Sequence, residues 1–385
     1  MDNDKMKFIK PIIIVLLILL LGIIIKMFLI ETQDSSSSNS NTGSSTTSSS
    51  SSSDNSEIVK TSTELSTVKI ESKEYTNYTA KINLSELSYD GSGVSISGTT
   101  IKISTGGVYY FSGTLLEGNI VVEATKNDEV VLVFENANIT CSNTAVINGI
   151  NAKKITINLV EGSTNTFTDS SNYTSFTEDD EPDATIFSKT DLIISGSGTL
   201  IINANYKDGI ASKDDLIISD ATLKITSEDD GIRGKDSLQI TNADITINSK
   251  GDGLKSTNDS NSEKGYILIS NSNISVETEA DGIQAETILK ITSGNISVKT
   301  TGKTSNDNSS KALKAGALIQ ITDGTFNINS TDDGLHSNGN IYIDNGNFTI
   351  TSDDDGIHAD GLIEINGGTF NITAHEGIEA TYVKI

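Results

Sequence analysis

The sequence contains no tryptophan, so the strongest aromatic stacking platform is missing. It contains one cysteine, which excludes an intramolecular disulfide framework. That residue, Cys141, sits in the apolar run Ile139-Thr140-Cys141 and reads as a small core residue rather than a reactive thiol. Basic residues are scarce: 27 Lys and Arg face 52 Asp and Glu, a net charge of −25. Phosphate backbones need Lys and Arg, so nucleic acid is excluded as a partner. The same balance suits cations and solvent exposure. Helical periodicity is also missing. Apolar residues recur at a spacing of two, many are β-branched, and glycine or Asn-Gly punctuates the chain about every eight residues.

One long apolar run stands at the start. Lys5, Lys7 and Lys10 precede it, and Phe8 to Ile30 is long enough to span a bilayer if Lys26 snorkels. No Ala-x-Ala cleavage site and no lipobox cysteine follow. The expectation is an uncleaved signal-anchor over residues 1–30, with a cleaved signal peptide as the alternative. The charge asymmetry places the bulk of the chain outside the membrane, on the cell surface. Residues 31–65 are dominated by Ser, Thr and Asn and read as a solvated linker. Order is expected from Ser66, with Val68-Lys69-Ile70 and Tyr78 to Ile82 as capping strands.

What the chain has in abundance is a repeat. Asp-Gly followed by a large aliphatic residue recurs at Asp208-Gly209-Ile210, Asp230-Gly231-Ile232, Asp252-Gly253-Leu254, Asp281-Gly282-Ile283, Asp333-Gly334-Leu335 and Asp355-Gly356-Ile357. Glu376-Gly377-Ile378 is a worn copy, and Lys311-Ala312-Leu313 stands where another is due. The spacing is 22, broken by insertions to 29 and 30 and closing at 21. Counted from the aliphatic residue, positions +6, +8, +13 and +15 are apolar in copy after copy, as in Leu216, Ile218, Leu223 and Ile225. Each copy is therefore three short strands. Such a unit buries its apolar side only by stacking on its neighbours, which predicts an all-β, parallel β-helix from residue 66 to 385. Asn258 to Lys264 is an extra loop in the third copy. Asp169 to Asp183, with its acidic cluster Glu178 to Glu181, is an insertion expected to project as a solvated loop.

The repeat predicts three surface columns. The first is acidic: Asp208, Asp230, Asp252, Asp281, Asp333 and Asp355, flanked by Asp229, Asp332 and Asp354. Carboxylates one coil apart repel by roughly 3.5 kcal/mol at an effective dielectric near 20. Oxygen-only ligands in this quantity fit Ca²⁺, and the candidate ligands are Asp229, Asp230, Asp252, Asp281, Asp332, Asp333, Asp354 and Asp355. The plainer alternative is that each Asp holds its own turn, with Gly in the left-handed conformation. The second column, at +1, carries Arg233, Lys255, His336 and His358. A basic strip beside an acidic turn suits an anionic sugar polymer, and it serves equally to neutralise the acids. Tyr342, outward between Ile341 and Ile343, is a further polymer contact, with Tyr206 and Tyr266 near turns. The third column, at +14, runs from Lys224 to Asn371 and reads as a flat, solvated polar face. The Phe326, Phe348 and Phe370 column is expected in the core.

The segments Asp354-Asp355-Gly356-Ile357-His358-Ala359-Asp360-Gly361, Asp332-Asp333-Gly334-Leu335-His336-Ser337 and Val133 to Thr140 resemble a family of secreted bacterial carbohydrate-binding proteins. The resemblance covers residues 66–385 and implies a right-handed, pectate-lyase-like β-helix. It also implies calcium and binding to cellulose or acidic pectic polymers. Lys311-Ala312-Leu313 departs from the pattern, which puts a cation site there in doubt. Two other classes stay open. A β-eliminating lyase needs calcium and a base, for which Arg233 and Lys255 are the available residues. A structural adhesin or spacer needs neither. No catalytic residue is assigned.

Overall fold

The computed structural model describes residues 65–70, 73–174, 181–302 and 309–385. The regular elements among them are all strands. From Ala184 on, each strand pairs in parallel with the third strand along, until the last coil merges two strands into one. Thus Asp208–Ser212 pairs with Ile232–Gly234, Asp215–Ser219 with Ser237–Thr241, and Thr222–Ser227 with Asp244–Ser249. One 22-residue copy is one coil with a short, a middle and a long strand. The register matches the sequence period: Leu216 lies beside Leu238 and then Ile267, and Leu223 beside Ile245 and then Ile274.

The core follows from that register. The +6, +8, +13 and +15 residues are buried in a single apolar cluster running through every coil, and only Phe370 and Ile372 in the last coil are partly open. Phe326 stacks on Phe348 and Phe348 on Phe370, with ring centroids 4.5 and 4.6 Å apart and planes within 3°. The intervening residues of the long strands, such as Lys224, Thr246 and Asn327, are exposed. The alternation places one residue in, one out, as a strand demands.

Glycine sits in the Asp-Gly motif for a different reason from the one expected. Gly209, Gly231, Gly253, Gly282, Gly334 and Gly356 are not left-handed. A Cβ at Gly231 would lie 2.6 Å from the Gly253 carbonyl oxygen and 2.6 Å from Ile247 Cγ2. Backbone of the next coil and a core side chain close the space, so the motif records close approach. Left-handed residues recur instead in the turn between middle and long strands. They are Asp220, Asn242 and Asn271, then Gly294, Gly324, Gly346 and Gly368 in later coils.

The N-terminal end is closed by two antiparallel pairs, Ala80–Asn83 with Ser88–Gly91 and Val94–Ser97 with Thr100–Ile103. Val68-Lys69-Ile70 is not a capping strand. It carries no ladder and lies on the outward side of the middle strands, where Val68 donates its N–H to Gln239 Oε1 at 2.9 Å. Nearby, Lys290 Nζ donates to the Leu65 carbonyl at 2.8 Å. The described parts of the Asp169 to Asp183 insertion pack back on the coils: Tyr173 stacks on Tyr206 at 4.2 Å, and Glu181 pairs with Lys189 and Lys213. Glu178 to Asp180 lie outside the described residues, as do the apolar run 8–30 and nearly all of the linker. Among the described residues no helix is long and apolar enough to cross a membrane.

The close approach generates a test. Gly231→Ala should cost about 1–3 kcal/mol by overpacking, read as a lowered thermal midpoint of the β-sheet circular dichroism signal. A midpoint equal to wild type would show that adjacent coils are not in contact at the motif.

Candidate functional site

The Asp-Gly motif opens each short strand, so its acid stands at one corner of every coil. The column was expected to face solvent. It is buried instead, with Asp208, Asp230, Asp252, Asp281, Asp333 and Asp355 each 6% exposed or less. The bonds they make explain how. Asp208 Oδ1 accepts the backbone N–H of Asp230 at 3.2 Å, Asp230 Oδ1 that of Asp252 at 2.8 Å, and Asp252 Oδ1 that of Asp281 at 2.9 Å. Asp281 continues to Lys311 N–H at 2.8 Å, and Asp333 to Asp355 N–H at 3.1 Å. These five side chains therefore cap the next coil rather than their own turn.

The second oxygens meet basic side chains from the +1 column. Arg233 Nε donates to Asp208 Oδ2 at 2.7 Å and its Nη2 to Asp183 Oδ2 at 2.8 Å. Lys255 Nζ lies 2.8 Å from Asp252 and 3.2 Å from Asp230. Lys314 reaches Asp281 at 2.8 Å. His336 Nδ1 bonds Asp333 at 2.7 Å, and His358 Nδ1 bonds Asp355 at 2.8 Å. Lys311, the residue that breaks the acidic pattern, places its ammonium 2.8 Å from Asp332 and 3.1 Å from Asp333. The copy that has lost its acid thus supplies positive charge to its neighbour.

Burial sets the titration of these groups. It pushes Asp208 up to about 7, against the pull of Arg233. It pushes Asp252 up to about 6, against Lys255. For Asp333 burial is outweighed by the His336 hydrogen bond and the Lys311 charge, which hold it down at about 2. Burial works against protonated His358, but the Asp355 hydrogen bond and the charges of Asp333, Asp355 and Glu379 raise it above the ordinary imidazole value. Arg233 and Lys255 are held protonated more firmly than usual: burial opposes this, and the paired carboxylates overcome it.

Among the described residues, three all-carboxylate sets bring ligand oxygens within 4.8 Å of one another: Asp208, Asp229 and Asp230; Asp332, Asp333 and Asp354; and, away from this column, Asp191, Asp214 and Asp215. Asp229 and Asp354 are the exposed members of their sets. Asp252 and Asp281 join none of these. Asp355 groups with His358 and Glu379, and Asp333 also with His336 and His358. Tyr342 stands apart, half-buried in the outward row of the middle strands between Gln320 and Glu364.

Some charged groups escaped the sequence reading. Asp183, from the insertion, is a counter-ion of Arg233, and no repeat arithmetic predicts it. Asp214, Asp236 and Asn258 form another column, all at +4, which the same arithmetic would have found. There Asn258 Nδ2 donates to Asp236 Oδ1 at 2.5 Å, and Lys264 pairs with Asp236. Burial and the Asp236 hydrogen bond raise Asp214 to about 6.

Comparison with known proteins bears on this architecture. A family described as "Carbohydrate-binding domain-containing protein" matches residues 97–356 and 337–384. A protein of that description from Acetivibrio thermocellus is 38% identical over 134 residues, which is 34% of this chain and 47% of that relative. The chain thus spans about half the length of the relative. A solved structure of the polysaccharide lyase-like protein from C. thermocellum, a gadolinium derivative, matches over 80% of this chain and 100% of its own, with a TM-score of 0.52 and 24% identity. That likeness speaks for the fold.

Two outcomes follow from the ion pairs. Arg233→Met leaves Asp208 and Asp183 without their guanidinium and should cost about 3–5 kcal/mol. An unchanged thermal midpoint would mean that the inter-coil N–H bonds alone carry the column. His358 has a raised value in the fold, so its contribution is complete below about pH 6.5 and is lost as pH rises through the folded value. His358→Gln should therefore flatten the fall in thermal midpoint between pH 6 and pH 8. An identical slope in wild type and variant would remove His358 from the account.

Proposed function

From the premise that this chain belongs to the family of carbohydrate-binding domain proteins, we propose that it is a calcium-assisted polysaccharide-binding protein displayed at the cell surface. The family match over most of the β-solenoid is the observation that carries the reading. The proposed ligand is an acidic, pectin-like polymer, with cellulose as the neutral alternative. The right-handed sense of winding belongs to the same proposal, since parallel crossovers take that hand in nearly all sheets.

Calcium fits part of the acidic column. Most of its carboxylates already have an ammonium, guanidinium or imidazole partner, so a second cation has no role beside Asp252 or Asp281. The Asp332, Asp333 and Asp354 set differs, because exposed Asp354 adds oxygens that no described side-chain hydrogen bond or ion pair takes up. Asp208, Asp229 and Asp230 form the equivalent set through exposed Asp229. These oxygen-only groups are the proposed Ca²⁺ ligands, with Lys311 and Arg233 as the competing internal cations. The polymer would meet the exposed edge beside them. His336, His358, Arg233 and Lys255 are all partly accessible there, and each also serves a carboxylate of the column.

A lyase reading finds less support. Arg233 and Lys255 are the bases it would use, and both are held protonated. Surface display rests on Lys5, Lys7 and Lys10 ahead of the apolar run, and a membrane anchor is proposed there.

Asp354→Asn removes charge and keeps size. The full-length variant should bind less calcium and less polygalacturonate, with its β-sheet spectrum intact. If calcium content and binding both equal wild type, the column is structural and the Asp354 cluster holds neither calcium nor polymer.

A further inference from the structure

Away from the acidic column, a cleft of about 400 Å³ opens near the N-terminal end of the solenoid. One wall is the segment Lys73 to Tyr78, which precedes the first strand. The floor is the outward side of two strands, Glu129–Thr140 and Lys154–Leu159, through Val133, Glu135 and Asn158. The turn residues Glu161, Gly196 and Ser197 close the far side. The volume is within the range of small-ligand sites.

The lining has a consistent chemistry. Tyr75 and Tyr78 bring aromatic rings to one wall, and both are only partly exposed. Their positions are fixed. Tyr78 packs on Tyr110 with centroids 5.1 Å apart, Lys81 Nζ lies 5.2 Å from the Tyr78 ring, and Tyr78 Oη donates to the Tyr75 carbonyl at 2.6 Å. Lys73 Nζ lies 5.0 Å from the Tyr75 ring. On the floor, Glu135 accepts a hydrogen bond from Tyr110 Oη and keeps its other oxygen for a ligand. Asn158 makes one long bond, from Nδ2 to Ser195 Oγ at 3.5 Å. Rigid rings beside unspent carboxylate and carboxamide groups match a pyranose, which has apolar ring faces and a rim of hydroxyls. Charge narrows the class. Three carboxylates, Glu74, Glu135 and Glu161, line the cleft against one ammonium, Lys73, which disfavours a uronate.

We propose that this cleft is a second saccharide subsite, built from Tyr75, Tyr78, Glu135 and Asn158, that takes an uncharged pyranose unit without calcium. It rests on the polysaccharide-binding reading for its ligand class and is independent of the acidic column. The two sites then take different sugars, one acidic and one uncharged, at different places on one solenoid.

The test uses the full-length chain in detergent with EDTA present. The probes are a neutral β-1,4-glucan hexasaccharide and a galacturonate hexasaccharide, followed by isothermal titration. The expected result is binding of the glucan, weakened roughly tenfold by Tyr75→Ala, retained in Tyr75→Phe and unaffected by Asp354→Asn. Glu135→Gln should weaken the glucan and improve the galacturonate. Circular dichroism monitors folding of each variant, and the Phe and Gln substitutions keep the test valid if Tyr75→Ala is unstable. Calcium-dependent binding of polygalacturonate without glucan binding would overturn this subsite and leave the main reading standing. Glucan binding indifferent to both Tyr75→Ala and Glu135→Gln would overturn it as well. Failure of both probes, with and without calcium, would overturn both.

Discussion

The structure depends on one constraint: every coil must present the same groups to the coil above and below. A 22-residue period satisfies it for apolar side chains without difficulty, because like packs on like. It is harsh for acids, since a carboxylate is set above a carboxylate. The solution uses both oxygens. Oδ1 takes the backbone N–H of the next coil, and Oδ2 takes a cation from three residues along the chain or from a neighbouring coil. A buried acid is tolerated when hydrogen bonds and a counter-charge replace its water. The column is thus part of what joins coil to coil, and Asp229 and Asp354 form its exposed edge.

Much of the fold was legible because the period is exact in the residues that matter. Leu216, Leu238 and Ile267 were aligned by counting, and they stack in that order. The Phe326, Phe348 and Phe370 column was readable as core from its place in a strand. What counting could not reveal was the depth of the Asp-Gly corner. Asp-Gly is strong turn vocabulary, and only the distance from Gly231 to the Gly253 carbonyl shows that it marks a tight coil-to-coil approach.

The candidate site was legible in composition and less so in grouping. Residues that share a coil position were found together, including Asp230 with Lys255 and Asp333 with His336. Partners from outside the repeat were not. Asp183 reaches Arg233 from an insertion, and the cleft wall from Lys73 to Tyr78 precedes the first coil. Lys311 is the instructive case. As a lost acid it looked like an interruption, yet its ammonium completes the adjoining carboxylate pair.

The two ends of the solenoid are unlike. Antiparallel pairs close the first coil, whereas the last strand, Glu376–Lys384, leaves Tyr382 and Val383 open to solvent. In a stack where each coil is held by its neighbours, an end with one neighbour is the weakest link. Under tension a stack of this kind yields one coil at a time, each released turn adding about 22 residues of slack. A load pulling along the stack would meet a succession of small yielding steps rather than a single rupture.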